Sequence, residues 1–194
     1  MSVETQVHEA AKRARTASIT LGTATRGAKD AALLAMAQAL LDRSDDVVAA
    51  NGLDIDRAVA DQTPEHMLDR LRLDASRVAA MAQGLREVAG LPDPIGEVVR
   101  GSTLANGLEM RQLRVPFGVV GMIYEGRPNV TADAAGICLK SGNAVLLRGS
   151  GSAATSNAAI VEVLRAAVAD HGFNPDVIQL LDASSRDSVK ALMR

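Results

Sequence analysis

The first half of the chain has a helical pattern of hydrophobic and polar positions. From Val3 to Ala89 apolar residues recur three and four positions apart, and runs of β-branched residues are almost absent. The pattern is clearest in residues 28–42, where polar side chains flank one apolar stripe. The predicted members of this stripe are Leu33, Leu34, Ala37, Leu40 and Leu41. We therefore expect amphipathic helices up to about residue 90.

Polar residues predict where several of these helices begin. Ser44, which precedes two aspartates, is expected to cap one helix, and Thr63 is expected to cap another that starts at Pro64. Asp74 is expected to open a helix that ends at Gly90. The predicted buried stripe of that helix is Val78, Met81, Ala82, Leu85 and Ala89.

A β-hairpin is predicted immediately after the helical section. The pair Asn106-Gly107 favours a tight type I′ turn between two extended segments. The apolar alternation slips between Met110 and Leu113, which predicts a twist or bulge. Such a protruding hairpin has exposed edges that commonly pair with another strand or another subunit.

Beyond Pro116 the pattern alternates between strand and helix. Strands are predicted at residues 118–124, 143–148 and 177–181, and the intervening helices at residues 130–140 and 152–171. Ser184 is expected to cap a last helix that runs to Arg194. Strands joined by helices imply right-handed crossovers and a parallel sheet.

The predicted fold class is therefore α/β. A helical section (1–95) is followed by a β-hairpin arm (96–115) and by the start of a doubly wound parallel sheet of Rossmann type (116–194).

Composition excludes several classes of protein. The formal net charge of −2 argues against a strongly basic nucleic-acid-binding protein. The longest strongly apolar stretches, residues 31–41 and 115–124, are shorter than the roughly 20 residues that span a bilayer. The N-terminus has no apolar signal region, and the single cysteine, Cys138, cannot form an internal disulfide. We expect a cytoplasmic protein without a membrane segment.

A glycine-rich loop is the first candidate for chemistry. Gly149, Gly151 and Ala154 give the pattern GxGxxA between a predicted strand and a predicted helix, where backbone amides can approach a phosphate. The acidic residue that a dinucleotide site also needs is not at its usual place, because Asp170 lies at a helix end and Asp182 lies too far along. Nucleotide contact and a plain Gly-Ser turn are both open at this point.

Two arginines follow the first two predicted strands of the sheet. Arg127 and Arg148 are expected at its carboxyl edge, where ligands bind in open α/β sheets, and guanidinium groups suit phosphate or carboxylate. The alternative for these arginines is a structural ion pair with Glu125 or another exposed acid.

The remaining reactive side chains point to structural roles. Cys138 shares an apolar helix stripe with Val130, Ala134 and Ile137, so we interpret it as a core residue rather than a nucleophile. The histidines are too far apart for metal-ligand spacing, so neither a metal site nor a Ser/His/Asp triad is predicted; they are His8, His66 and His171.

Longer motifs point to one family. Residues 115–131 read Val-Pro-Phe-Gly-Val-Val-Gly-Met-Ile-Tyr-Glu-Gly-Arg-Pro-Asn-Val-Thr, and residues 138–149 read Cys-Leu-Lys-Ser-Gly-Asn-Ala-Val-Leu-Leu-Arg-Gly. With residues 66–71 and 91–96, they resemble the γ-glutamyl phosphate reductases, also called glutamate-5-semialdehyde dehydrogenases, of the aldehyde dehydrogenase superfamily. The resemblance covers essentially the whole chain.

The resemblance implies an activity and a place for the reaction. It implies reduction of L-glutamyl 5-phosphate by NADPH to L-glutamate 5-semialdehyde with release of phosphate, a step of proline biosynthesis that uses a cysteine thiolate. Residues 123–129 would border the nicotinamide and the acyl group, with Ile123 and Tyr124 at the cofactor. Asn129 matches the superfamily asparagine whose amide holds the oxyanion.

The resemblance also implies which residues meet the cofactor's adenosine end. Arg148 takes the place of a superfamily lysine near the ribose. Gly149, Ser150 and Ser152 belong to a stretch that in NAD-preferring relatives often carries a glutamate. A cation without that acid is expected to favour the 2′-phosphate of NADP.

One departure from the family pattern sets a further expectation. The family's nucleophilic cysteine lies in a Thr-Gln-Arg-Pro-Ser-x-Cys-Asn type segment, which these 194 residues do not contain. We expect an N-terminal portion that does not turn over alone, a homo-oligomer formed through the hairpin, and coupling to glutamate 5-kinase by pathway. The alternative is a stand-alone nucleotide-binding or subunit-interaction module without catalysis.

Overall fold

Five helices form the first half of the structure, a computed structural model that describes residues 2–193. They are α1 (Val3–Gly22), α2 (Arg26–Asp42), α3 (Ser44–Ala60), α4 (Glu65–Leu71) and α5 (Ala75–Gly90). Hydroxyl groups cap the first two, because Ser2 Oγ accepts from the Thr5 amide and Thr25 Oγ1 accepts from the Ala28 amide. No helix within residues 2–193 has the length and apolar character needed to cross a bilayer.

The helix core confirms most of the predicted stripes. All five predicted core residues of α5 are buried, and Asp74 accepts from the Arg77 amide at the start of this helix. In α2 the prediction for Leu34 is wrong, because this side chain is 49% exposed, and Leu41 is only partly buried. The buried face instead passes through Met36, which follows Leu33 by three residues and so lies on the same side of the helix.

Two predicted helix caps are wrong. Ser44 is the first residue of α3 rather than its cap, and its buried hydroxyl has no hydrogen-bond partner among residues 2–193. Helix α4 begins at Glu65, so Pro64 occupies the cap position that was predicted for Thr63. A proline fits there because its missing amide proton costs no intrahelical hydrogen bond.

The hairpin consists of β1 (Val98–Thr103) and β2 (Glu109–Leu113), and both strands are exposed along their whole length. A bulge is present, but its extra residue is not on the strand of the predicted slip between Met110 and Leu113. Val98 pairs with Leu113 and Arg100 with Gln112, which leaves Val99 of β1 as the extra residue. The predicted type I′ turn is wrong. Gly107 has a φ of +83° but Asn106 does not share this conformation, so the loop is a type I turn followed by a left-handed glycine.

A parallel sheet follows, as predicted. Its strands are β3 (Val119–Ile123), β4 (Ala144–Arg148) and β5 (Ile178–Leu180), in the order β3-β4-β5. The connecting helices are α6 (Asn129–Lys140) and α7 (Ala154–Asp170), the latter preceded by a short 3₁₀ turn at Gly151–Ala153. Every residue of β4 is buried, because α1 and α6 pack against this central strand.

The last helix, α8 (Asp187–Leu192), starts later than predicted. Ser184 does not cap it, because its amide and hydroxyl both donate to the carboxylate of Asp182 and close a local turn. Leu192 packs on Gly121 of β3, where an added Cβ would lie 3.1 Å from a leucine methyl. The architecture is thus the predicted α/β arrangement of helical section, hairpin and parallel sheet.

Candidate functional site

The loops that follow the three parallel strands meet at one edge of the sheet. A Cβ atom added to Gly126 would lie 2.6 Å from Ser152 Oγ, so the loop after β3 contacts the loop after β4. A Cβ atom added to Gly151 would lie 3.2 Å from the carbonyl oxygen of Ala183, which places the loop after β5 alongside. The structure therefore brings together most of the site residues predicted from the sequence.

The hydroxyl of Tyr124 holds this edge of the sheet through a chain of hydrogen bonds to the helices behind it. Thr131 Oγ1 donates to Asn157 Oδ1 at 2.8 Å, so the Tyr124 hydroxyl, also 2.8 Å away, donates to Thr131 Oγ1. Burial raises the pKa of Tyr124. Gly149 has no room for a side chain, because a Cβ atom there would lie 2.3 Å from Asn157 Nδ2 and 3.0 Å from the tyrosine ring. The hydroxyl of Tyr124 thus ties the β3 loop to α6 and, through Thr131, to α7.

The N-terminus of α7, which follows the glycine-rich loop, already holds a carboxylate. Asp54 is buried, and its carboxylate accepts from the amides of Thr155 at 3.2 Å and Ser156 at 2.7 Å. The Ser156 hydroxyl donates to the same group at 2.6 Å, and Arg57 forms an ion pair with it. Because an internal anion takes these donors, the helix N-terminus is built as a structural joint between α3 and α7.

Asn51, one turn before Asp54, extends this joint. Its side-chain amide donates to Leu71 O and Ser156 Oγ, and its carbonyl oxygen accepts from the Leu73 amide at 2.7 Å. The sequence offered a weak signal for this joint, namely polar residues at the helix positions that should face the core, and sequence reasoning did not use it.

Arg148 lies at the end of β4, as predicted, but its donors face inward. Its guanidinium group donates to Ser188 Oγ at 3.1 Å, to Gly149 O at 2.8 Å and to Ser185 O at 2.8 Å. Hydrogen bonds from Ser184 lower the pKa of Asp182, and the charge of Arg148 contributes to the same direction. In this geometry Arg148 braces the segment between β5 and α8.

Arg127 has a different environment. It lines a cleft of about 460 Å³ between α4 and the β3 and β4 loops, together with Arg70, Glu125, Ser150 and Ser152. Among residues 2–193 its guanidinium forms no ion pair or hydrogen bond, so the alternative pairing with Glu125 is not formed. The structure thus places an available cation beside two hydroxyl groups at the carboxyl edge.

A second cleft, of about 430 Å³, lies on the other side of Arg70 and Arg127, between α4, α5 and the start of α6. Asn129 lines it at the first turn of α6 and donates from Nδ2 to Asp133 Oδ2 at 3.3 Å. Burial raises the pKa of Asp133. Sequence reasoning found Asn129 through the family motif but missed Asp133 and Arg70.

Cys138 lies five residues beyond Asp133 on α6 and is 4% exposed. Burial raises the pKa of its thiol to about 11. Its predicted stripe neighbour Ile137 is 56% exposed, so that part of the stripe is wrong, but the prediction of a buried, structural cysteine is confirmed. A thiol in this state is a poor nucleophile near neutral pH.

Comparison with known proteins defines the class of protein. The chain belongs to the aldehyde dehydrogenase family, whose family model matches residues 1–194. It is similar to the gamma-glutamyl phosphate reductase of Thermobifida fusca, with 53% identity over 192 residues that make up 99% of this chain. Those residues make up 46% of the relative, so the chain spans about half the length of this curated protein.

Two crystal structures of gamma-glutamyl phosphate reductases have the same fold over 97% of this chain. The structure from Thermotoga maritima gives a TM-score of 0.94 at 36% identity and is covered over 45% of its length. The structure from Saccharomyces cerevisiae gives a TM-score of 0.87 at 28% identity and is covered over 48%.

Proposed function

We propose that the chain forms the cofactor-binding part of a γ-glutamyl phosphate reductase, in which NADPH reduces L-glutamyl 5-phosphate to L-glutamate 5-semialdehyde with release of phosphate. The observation that carries the proposal is the carboxyl edge of the sheet, where the Asn129 amide and the unpaired Arg127 guanidinium lie in adjoining clefts. The similarity to reductases of that name over nearly the whole chain supports it. The proposed setting is proline biosynthesis in the cytoplasm.

The two side chains suit an acyl phosphate. Attack on the acyl carbon places negative charge on the carbonyl oxygen, and an amide donor such as Asn129 Nδ2 stabilises that charge. The phosphate leaving group also carries negative oxygens. The planar guanidinium group of Arg127 is suited to donate hydrogen bonds to them. Asp133 accepts one proton of the Asn129 amide and leaves the other for the oxyanion.

A nicotinamide cofactor fits the same edge. When bound, NADPH would supply the hydride for the reduction. Ser150, Ser152 and Arg127 line the 460 Å³ cleft and offer hydroxyl and guanidinium donors to an anionic dinucleotide. Ile123, 45% exposed at the end of β3, offers an apolar surface. The N-terminal amides of α7 are not assigned to phosphate, because Asp54 accepts from them.

Arg148, Gly149 and Tyr124 are proposed to shape the cofactor site rather than to form its surface. The guanidinium of Arg148 holds the loop after β5, and Gly149 allows the Tyr124 ring to pack against the β4 loop. We propose that NADP is favoured over NAD because the guanidinium groups of Arg70 and Arg127, which outnumber the single carboxylate of Glu125 in this cleft, suit the 2′-phosphate.

The nucleophile is proposed to come from outside residues 1–194. Cys138 is buried and its thiol keeps its proton near neutral pH, so it does not meet the requirement for a thiolate. The chain's own residues would position the acyl group, hold the oxyanion and exclude water.

The hairpin is proposed to mediate homo-oligomer formation. Its strands expose apolar side chains on an edge that no other strand covers within residues 2–193, and Val98, Val99 and Leu113 are each about half exposed. Coupling to glutamate 5-kinase is proposed from the chemistry, because the substrate is an acyl phosphate that a kinase must supply.

A chimera tests the proposed reaction. Residues 1–194 replace the matching part of the Thermobifida fusca reductase, and oxidation of glutamate 5-semialdehyde is followed as phosphate-dependent formation of NADPH. Turnover with NADP and phosphate supports the proposal. A well-folded chimera that binds nucleotide but does not turn over favours the stand-alone binding module instead.

A further inference from the structure

The 430 Å³ cleft beside Asn129 contains charged groups that have no role in the proposed chemical steps. We call it the α4–α6 cleft; its charged lining residues are Asp69, Arg70, Arg72, Arg77, Arg127 and Asp133. The inference below rests on the proposed function and extends it to the part of the substrate that does not react.

Some of these charges are already paired. Arg77 forms an ion pair with Asp69 at 2.6 Å and also donates to the carbonyl oxygen of Arg72 at 2.9 Å. The guanidinium of Arg72 lies 3.9 Å from the Glu65 carboxylate. These contacts stabilise the turn between α4 and α5 and account for three charged residues of the cleft.

The other charges are not paired. Asp133 forms no ion pair among residues 2–193, and its side chain accepts only from the neutral amide of Asn129, at 3.3 Å. The guanidinium of Arg70 likewise has no side-chain partner in the described part of the chain. The cleft thus presents one half-buried carboxylate and unpaired guanidinium groups to whatever enters it.

A cationic ligand stabilises a half-buried carboxylate that has a single neutral donor more than it stabilises an exposed carboxylate. Desolvation raises the pKa of Asp133, in keeping with a half-buried carboxylate that accepts from one neutral donor. A bound ammonium group would supply the missing counter-charge in a region of reduced dielectric. A zwitterionic amino acid carries the two counter-charges that the unpaired carboxylate and guanidinium groups of the cleft lack.

We propose that Asp133 binds the α-ammonium group of the substrate and that Arg70 binds its α-carboxylate. Asp133 lies four residues after Asn129 on α6, a rise of about 6 Å, and its Oδ2 lies 3.3 Å from Asn129 Nδ2. In a glutamyl chain the acyl carbon and the α-nitrogen are four bonds apart, roughly 5 Å when extended. A carbonyl held at Asn129 therefore brings the α-nitrogen to Asp133. The pair would select an amino acid over a simple dicarboxylate.

The test compares two aldehydes in the chimera of residues 1–194 with the Thermobifida fusca reductase. One is glutamate 5-semialdehyde, and the other is 5-oxopentanoate, which lacks the amino group. The variant Asp133→Asn removes the charge but keeps an oxygen that accepts from Asn129. We expect it to lower the ratio of kcat/KM for the two aldehydes at least tenfold, through KM for the amino substrate.

Asp69→Asn is the matched control, because it removes a carboxylate of the same cleft that is already paired with Arg77. It should leave the ratio of the two aldehydes unchanged, even if stability falls. If Asp133→Asn lowers kcat equally for both aldehydes, Asp133 merely positions Asn129 and the proposal is overturned. If the unmodified chimera oxidises neither aldehyde, the proposed function fails.

A second measurement uses the 194-residue chain and does not depend on turnover. Titrations with L-glutamate and with glutarate are followed through the NMR signals of α6. We expect glutamate to bind at least tenfold more tightly, and Asp133→Asn to abolish this preference. Equal affinity for the two ligands, or no binding of glutamate, would overturn the assignment of Asp133.

Discussion

The carboxylate of Asp54 accepts a hydrogen bond from the amide of Ser156 at 2.7 Å, across 102 residues of sequence. This contact joins α3 to the first turn of α7 and fills the helix N-terminus that a glycine-rich loop would otherwise offer to phosphate. Two amides at the start of α7 are therefore already occupied, whereas Ser150 and Ser152 of the same glycine-rich loop line the neighbouring cleft with Arg127.

Asp54→Asn should strongly destabilise the fold. The substitution places an NH₂ group among donors that need an acceptor and leaves the buried amides of Thr155 and Ser156 short of partners. We expect a loss of about 2–4 kcal/mol in the free energy of unfolding, measured by urea denaturation. Asp56→Asn, on the exposed side of the same helix, is the control and should change stability little.

Gly149 and Gly52 should respond to alanine in opposite directions. At Gly149 a methyl group would overlap Asn157 and the Tyr124 ring, so Gly149→Ala should cost about 2 kcal/mol or more. Gly52 lies within α3 with no atom within 4 Å of an added Cβ, so Gly52→Ala should stabilise by about 0.5–1 kcal/mol. Thermal unfolding of both variants measures the contrast; destabilisation by Gly52→Ala as well would contradict the packing described.

Arg148→Lys distinguishes two roles of Arg148: holding the segment between β5 and α8, and binding the cofactor phosphate directly. A lysine keeps the charge but cannot reach Ser188, Gly149 and Ser185 together, so stability should fall by about 1–3 kcal/mol. In the chimera, binding of NADP and NAD should weaken to a similar extent, because the loop after β5 that Arg148 holds is disturbed for both nucleotides. Unchanged stability with a selective loss of NADP binding would instead establish contact with the 2′-phosphate. Arg186→Lys, at an exposed neighbouring position, is the control.

Cys138 should make stability depend on alkaline pH. The folded thiol keeps its proton up to a pKa of about 11, whereas the unfolded thiol titrates near 9.0. Between these values the unfolded chain loses a proton that the folded chain retains, so stability falls as pH rises, by roughly 1.4 kcal/mol per pH unit. Urea denaturation from pH 8 to 10.5 should show this slope in the difference between the wild type and Cys138→Ala. A difference that stays constant over this pH range would show that burial does not perturb the thiol.

The sequence was most informative where a local pattern coincided with a packing requirement. The stripe of α5 followed from periodicity because this helix buries one face, and the parallel sheet followed from the alternation of strands and helices. The stripe of α2 was misjudged at Leu34, because Leu, Ala and Met are so frequent there that their spacing alone does not identify the buried face.

The position of the site could be predicted from the sequence, but the hydrogen bonds and ion pairs of its residues could not. The rule that ligands bind at the carboxyl ends of parallel strands identified the edge that carries Arg127 and Arg148, and the family motif identified Asn129. The partners of Arg148 lie up to 40 residues away, and the α7 groups that donate to Asp54 lie about 100 residues away. Contacts at such separations depend on tertiary packing, so the inward-facing guanidinium had no local signal. The filled helix N-terminus had only a weak one, the polar residues at core-facing positions of α3.

The most direct measurement of the central claim is the effect of Asn129→Ala on phosphate-dependent oxidation of glutamate 5-semialdehyde by the chimera. If the carboxyl edge of this sheet holds the oxyanion, kcat should fall about 100–1000-fold while KM changes little, because the amide acts mainly in the transition state. A kcat within a few-fold of the unmodified chimera would contradict the placement of the reaction at this edge.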